Sequence, residues 1–123
     1  MRIRFTANVL ANLDAIDAFL IENGNPYGHD GLLAELEDVV LPNLQRFPRM
    51  GRLFIERVPD SVEAQRLHEA ITRRLSPGDQ IREYVMDDHL LLYRVNDQGV
   101  DLLAIRHHKQ LAFDMQDFLH APR

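Results

Sequence analysis

The stretch that decides the fold is "IREYVMDDHLLLYRVNDQGVDLLAIRHHKQ", residues 81–110. Three β-type runs lie in it: residues 81–86, 89–95 and 100–107. The links are "DD" (87–88) and "NDQG" (96–99), both with hairpin turn chemistry. Strands in sequence joined by tight turns predict an antiparallel meander. The third run passes straight into "RHHKQ", a cluster able to hold a phosphate or move a proton, and then into a helix expected over Lys109–Leu119 with Leu111, Met115 and Phe118 on one side.

Upstream the period is helical. "RIRF" alternates and reads as a strand, Arg2–Phe5, and Thr6 is a good N-cap. Val9, Leu13, Ile16 and Leu20, widened by Leu10 and Phe19, predict an amphipathic helix from Ala7 to about Glu22. "NGNPYG" ends it, and a second helix is expected from about Gly31, carried by Leu33, Leu36, Val40, Leu44 and Phe47. Pro42 lies inside it, lacks a donor and crowds the carbonyl of Asp38, so a kink or break is expected there. The short turn between the two predicts a helical hairpin. A third, less apolar helical unit follows in "VPDSVEAQRLHEAITRRLSPG", with Asp60 and Glu63 in a capping-box pattern and Leu67, Ile71 and Leu75 on one face.

The expected architecture is one α+β domain over residues 1–123. The helical hairpin, the third helix and the C-terminal helix pack on one face of a small antiparallel sheet. The other face is left partly open, where Arg82, Arg94 and the end of the last strand would meet.

Composition narrows the function. The chain has 123 residues, no cysteine and a formal net charge of −5. Disulfides and thiolate metal sites are excluded, and a cytoplasmic setting is expected. No run reaches the roughly 20 apolar residues of a membrane span, and none reads as a signal peptide. The charge is segregated. Between Arg4 and Arg46 there is no lysine or arginine, only the acids Asp14, Asp17, Glu22, Asp30, Glu35, Glu37 and Asp38. "RFPRMGRLFIER" then supplies Arg46, Arg49, Arg52 and Arg57. The only lysine is Lys109, so any positive site is built from arginine and histidine. The adjacent His107 and His108 diverge on a strand, and no histidine spacing fixes a metal; neither metal nor cofactor is expected.

Taken in order, "FTANVLANLDAIDAFL", "LPNLQRFPRMGR" and "REYVMDDHLLLYRVNDQGVDLLAIRHHKQ" resemble the RelE/ParE superfamily of toxins from bacterial type II toxin–antitoxin systems, often labelled plasmid stabilisation proteins. The carrying features are the Thr-led first helix, Pro48-x-x-Gly51-Arg52 after the second, Arg82 opening a strand, the Tyr93–Arg94 pair, and Arg106–His107 before the last helix. Residues 54–79 depart from the pattern and read as a helical insertion.

The resemblance implies growth inhibition when the toxin is free and silence when a cognate antitoxin covers it. It implies two activities. RelE-like members resemble ribosome-dependent mRNA endoribonucleases, whereas ParE-like members inhibit DNA gyrase by binding. Cleavage needs an acid, a base and positive charge at the phosphate. The candidates are His107 as acid or base and Arg82 and Arg94 as phosphate holders. Tyr93 and Arg94, being neighbours on a strand, cannot share a face. Each candidate also has a plainer reading: Arg82 as a strand-end charge, Arg94 as a partner of Asp101, Tyr93 as packing, His107 as the lead into a helix. Arg46, Arg49, Arg52, Tyr93 and Arg106 are candidates for binding target or antitoxin. The acidic balance and single lysine favour the binding class over RNA cleavage, since RNA affinity draws on phosphate contacts. An inactive member that only binds its antitoxin is a further alternative.

Overall fold

The computed structural model describes residues 2–54 and 62–108. Strand β1 (Arg2–Phe5) runs into helix α1 (Ala7–Glu22), with Thr6 between them in extended backbone. The Thr6 hydroxyl accepts from the Val9 amide at 3.3 Å and donates to the Leu102 carbonyl at 2.7 Å. One side chain therefore caps the helix and fixes it to the sheet.

The second helix starts earlier than its periodicity suggests. It comprises α2 (Gly28–Glu35), a π-helical turn (Leu36–Val40) and α3 (Leu41–Arg46). The expected disturbance at Pro42 takes the form of that turn, in which the Leu41 amide reaches back five residues to the Leu36 carbonyl. Widening the helix before the proline removes the clash without breaking the rod. Strand β2 (Arg52–Leu53), helix α4 (Val62–Arg74) and the meander β3 (Gln80–Val85), β4 (His89–Asn96) and β5 (Gly99–His107) complete the described chain. Asp60 of the expected capping pattern and the helix expected over Lys109–Leu119 lie outside the described residues.

The strands form one sheet in the order β1-β5-β4-β3-β2. The α+β class and the meander are as expected, with two corrections of detail. First, β1 pairs parallel to β5, with Arg2 opposite Gly99 and Phe5 opposite Leu102, so the sheet is mixed rather than antiparallel. The helices carry the chain to the far edge, and a meander returning from there leaves β5 beside β1 in the same direction. Second, both faces are packed. Val9, Leu13, Leu32, Leu36, Val40 and Leu44 from the helical hairpin cover the face that presents Leu91, Tyr93, Val95, Val100, Leu102 and Ile105. On the other face Ile71 of α4 joins Phe54, Ile81, Leu92, Leu103 and Ala104, with Leu75 against them. Consecutive apolar residues in "HLLLY" and "DLLAI" are the sequence signal of a sheet covered twice.

A register shift between Leu92 and Tyr93 marks a β-bulge, where Leu102 and Leu103 face one step of β4. β1 pairs only as far as Leu102. Beyond it, buried Asn8 donates to the Leu103 carbonyl at 2.9 Å, and buried Asn12 accepts from the Ile105 amide at 3.0 Å. Two amides on α1 thus continue the ladder where the strand stops, which satisfies backbone groups that burial would otherwise penalise.

Candidate functional site

Gly51 is the centre of the motif that follows α3. Its amide donates to the Tyr93 hydroxyl at 2.9 Å, and its carbonyl accepts from Arg82 at 2.6 Å. A Cβ there would lie 2.5 Å from the Glu83 carbonyl oxygen and 2.7 Å from the Tyr93 hydroxyl, so only glycine fits the approach. Arg82 and Tyr93 are directly opposed on β3 and β4 and share the face under the helical hairpin. The guanidinium is further held by Gln80, whose amide oxygen accepts from its Nε at 3.1 Å. Tyr93 is fully buried. Burial, the largest influence, raises its pKa against the opposing pull of the Gly51 amide and Arg82. It is a neutral packing residue with its hydroxyl spoken for.

Arg94 lies on the opposite face. Its Nε and one terminal nitrogen both donate to one carboxylate oxygen of Asp101, the Nε at 3.1 Å. Arg4 donates through its own Nε to the other oxygen at 2.7 Å. Burial pushes the Asp101 carboxyl up, but the hydrogen bonds and charges of the two arginines outweigh it, and the net shift is downward. Arg52 is anchored on the same face by Glu83 at 2.9 Å, a carboxylate that is itself buried.

His107 pairs with His89 at the far end of the sheet. Their rings meet edge to face at 5.3 Å, and His107 stacks on His108 at 4.4 Å. Burial, then the charge of His107, lowers the His89 pKa. His107 shares a face with Tyr93 but sits four positions along β4's register from it, roughly 13 Å at about 3.3 Å per residue. Arg106 is buried, and one terminal nitrogen donates to the carbonyls of His107 and His108 at 3.3 Å each.

The three residues proposed for cleavage chemistry are therefore not brought together. Arg82 and Arg94 face opposite sides of the sheet, because they occupy unlike positions of the register, and His107 is distant from both. The basic residues at and just after the end of α3 differ. Arg46 and Arg49 are exposed beside exposed Phe47 and Met50. The Arg46 guanidinium lies 5.9 Å from the Phe47 ring centre, and Arg49 makes a loose pair with Asp97 at 3.5 Å. Sequence reasoning did not single out Arg4, Asn8 or Asn12. The available signal was an amide pair four residues apart on α1, alongside the apolar stripe of Val9 and Leu13.

A covered mixed sheet, a Thr-capped helical hairpin, and a Gly51 turn bound to Tyr93 and Arg82 define a small toxin-type α+β domain. The family model of the ParE toxin of type II toxin–antitoxin systems, parDE, matches residues 3–112, and the chain belongs to that family. It is a toxin of a type II system, and membership implies an antitoxin as partner. A search of the curated proteins found no match. Among the described residues, no helix is long and apolar enough to cross a membrane, and no group of three histidines or acids is placed to hold a metal.

Proposed function

We propose that this toxin arrests growth by binding DNA gyrase in the cytoplasm and does not cleave RNA. The observation that carries the reading is the separation of Arg82, Arg94 and His107. Cleavage requires acid, base and phosphate-holding charge around one scissile bond. Here one arginine is tied to Gly51 and Gln80, the other to Asp101 on the opposite face, and the histidine stands at the far end. A net charge of −5, with no lysine or arginine between Arg4 and Arg46, also disfavours a ribosomal RNA surface.

Residues 54–79 are read as an addition to the family's core, with α4 roofing the second face of the sheet. The antitoxin is read as covering the outer side of the helical hairpin, where Leu10, Phe19, Ile21, Tyr27 and Val39 are exposed, Tyr27 at 79%. An apolar segment laid in a groove is a common way to bury such residues. Arg46 and Arg49, with Phe47 and Met50, form the accessible basic and apolar patch offered to the target.

The test is a DNA supercoiling assay with purified gyrase and purified toxin. Inhibition that antitoxin reverses is expected. Full supercoiling at excess toxin, together with toxin-dependent cuts in ribosome-bound mRNA, would overturn the reading in favour of the ribonuclease.

A further inference from the structure

The sheet register gathers the two arginines of β1 at one corner, where only Arg4 is tied to the sheet, through Asp101. Parallel pairing sets Arg2 opposite Gly99 and Arg4 opposite Asp101. Antiparallel pairing sets Asn96 opposite Gly99 and Arg94 opposite Asp101. Two rows result on one face: Arg2, Gly99 and Asn96 in the first, Arg4, Asp101 and Arg94 in the second. Gly99 contributes no side chain, so the first row is open in its middle. A shallow polar pocket lies there, lined among others by Arg2, Arg4, Asn96, Gln98, Gly99 and Asp101.

The electrostatics of the corner are unbalanced. Two guanidinium groups, those of Arg4 and Arg94, bind the one carboxylate of Asp101, and a third, that of Arg2, lines the same pocket. Asp101 takes Arg94 on one oxygen and the Nε of Arg4 on the other. Asn96 donates to Asp79 at 2.9 Å, which places one further acid behind the row, and that acid also accepts from the Ser76 amide. Asp97 points to solvent and toward Arg49. Arg2 is exposed and makes no hydrogen bond or ion pair through its side chain among the described residues. Arg4 is anchored only through its Nε, which leaves its two terminal nitrogens directed by that anchor and without a second partner among the described residues.

We infer that the corner formed by Arg2, Arg4 and Gln98 over Gly99 is an anion site for a phosphate group. Arg4 is the preorganised element, because Asp101 holds the guanidinium in place while its terminal donors stay open. Arg2, which has no side-chain partner among the described residues, closes on the ligand from the edge strand. Arg94 neutralises Asp101, which would otherwise repel an anion. In a chain of net charge −5 such a corner is a local exception to the overall field and selects where an anion lands. The same chemistry fits a free phosphate monoester and a backbone phosphate of DNA. The inference does not depend on gyrase being the target.

The experiment follows the arginine Nε–H signals of the full chain by NMR. Titrations use inorganic phosphate, a short DNA duplex, and sodium chloride at matched ionic strength. Phosphate is expected to move the Arg2 and Arg4 signals saturably, beyond the chloride control. A duplex that binds at least tenfold more tightly than inorganic phosphate assigns the site to a DNA backbone; equal or weaker binding assigns it to a free phosphate group. Arg2→Ala, a change at an exposed side chain, should weaken binding on the order of tenfold. Signals that move no more than in chloride, or binding unchanged by Arg2→Ala, would overturn the assignment.

Discussion

The Tyr93 hydroxyl accepts a hydrogen bond from the Gly51 amide across 42 residues of sequence, at 2.9 Å, in the buried interior. It joins the turn after the second helix to the middle of the sheet. Replacing Tyr93 by Phe leaves a buried N–H without its partner and should cost about 1–2 kcal/mol of stability. Gly51→Ala drives a methyl group into the Glu83 carbonyl oxygen and should cost about 1–3 kcal/mol. Urea unfolding measures both. Because Tyr93 is wholly buried, Tyr93→Phe protein that folds should keep its potency per folded molecule. A stable but inactive Tyr93→Phe variant would make the hydroxyl functional.

Asn12 stands in for a strand at the edge of β5. Asn12→Ala should expose the Ile105 amide to a polar vacancy, cost about 1–3 kcal/mol, and speed hydrogen exchange at Ile105 more than at Leu91. Equal acceleration at both amides would mean the side chain contributes only to global stability.

Asp101 gives the fold a defined acid dependence. Its carboxyl pKa is lowered in the folded chain, so its contribution is present above the ordinary aspartate value and is lost as pH falls through the folded value. Asp101→Asn should destabilise by about 1–2 kcal/mol at pH 7. The gap should close below about pH 4, the ordinary carboxylate range. Denaturation at neutral and acid pH checks this; an unchanged gap would remove the ion pairs from the account.

His89 acts in the same direction, at higher pH and through a buried neutral ring rather than a charged carboxylate. Burial lowers its pKa from the usual 6.5, so it folds neutral, and stability declines as pH drops below that value and the unfolded chain gains a proton first. Ring-proton NMR should show His89 titrating below the ordinary histidine midpoint. A midpoint at or above it would contradict the buried neutral ring.

Much of the fold was legible because its local signals agree with its packing. Thr6 reads as a cap and is one, and the "NDQG" link closes through Asn96 accepting from the Gln98 and Gly99 amides. The direction of β1 was not legible, since "RIRF" carries no information about its neighbour. The second packed face was hidden by reading Arg82 and Arg94 as marks of an open surface. Alternation along one strand separates Tyr93 from Arg94 correctly, but only the pairing register shows that Arg82 goes with Tyr93 and Arg94 with Asp101. Of the binding candidates, Arg46 and Arg49 lie exposed, whereas Tyr93 and Arg106 are drawn inward. Burial of a tyrosine or an arginine depends on partners distant in sequence, such as Gly51, which composition does not reveal.

The most direct measurement of the central claim is paired incorporation of labelled thymidine and labelled amino acid, immediately after the toxin is induced alone in a bacterium. A toxin that acts on gyrase stops thymidine incorporation first, with protein synthesis initially intact, and a His107→Ala variant does the same. Immediate collapse of amino-acid incorporation, abolished by His107→Ala, would contradict the account and identify a ribonuclease.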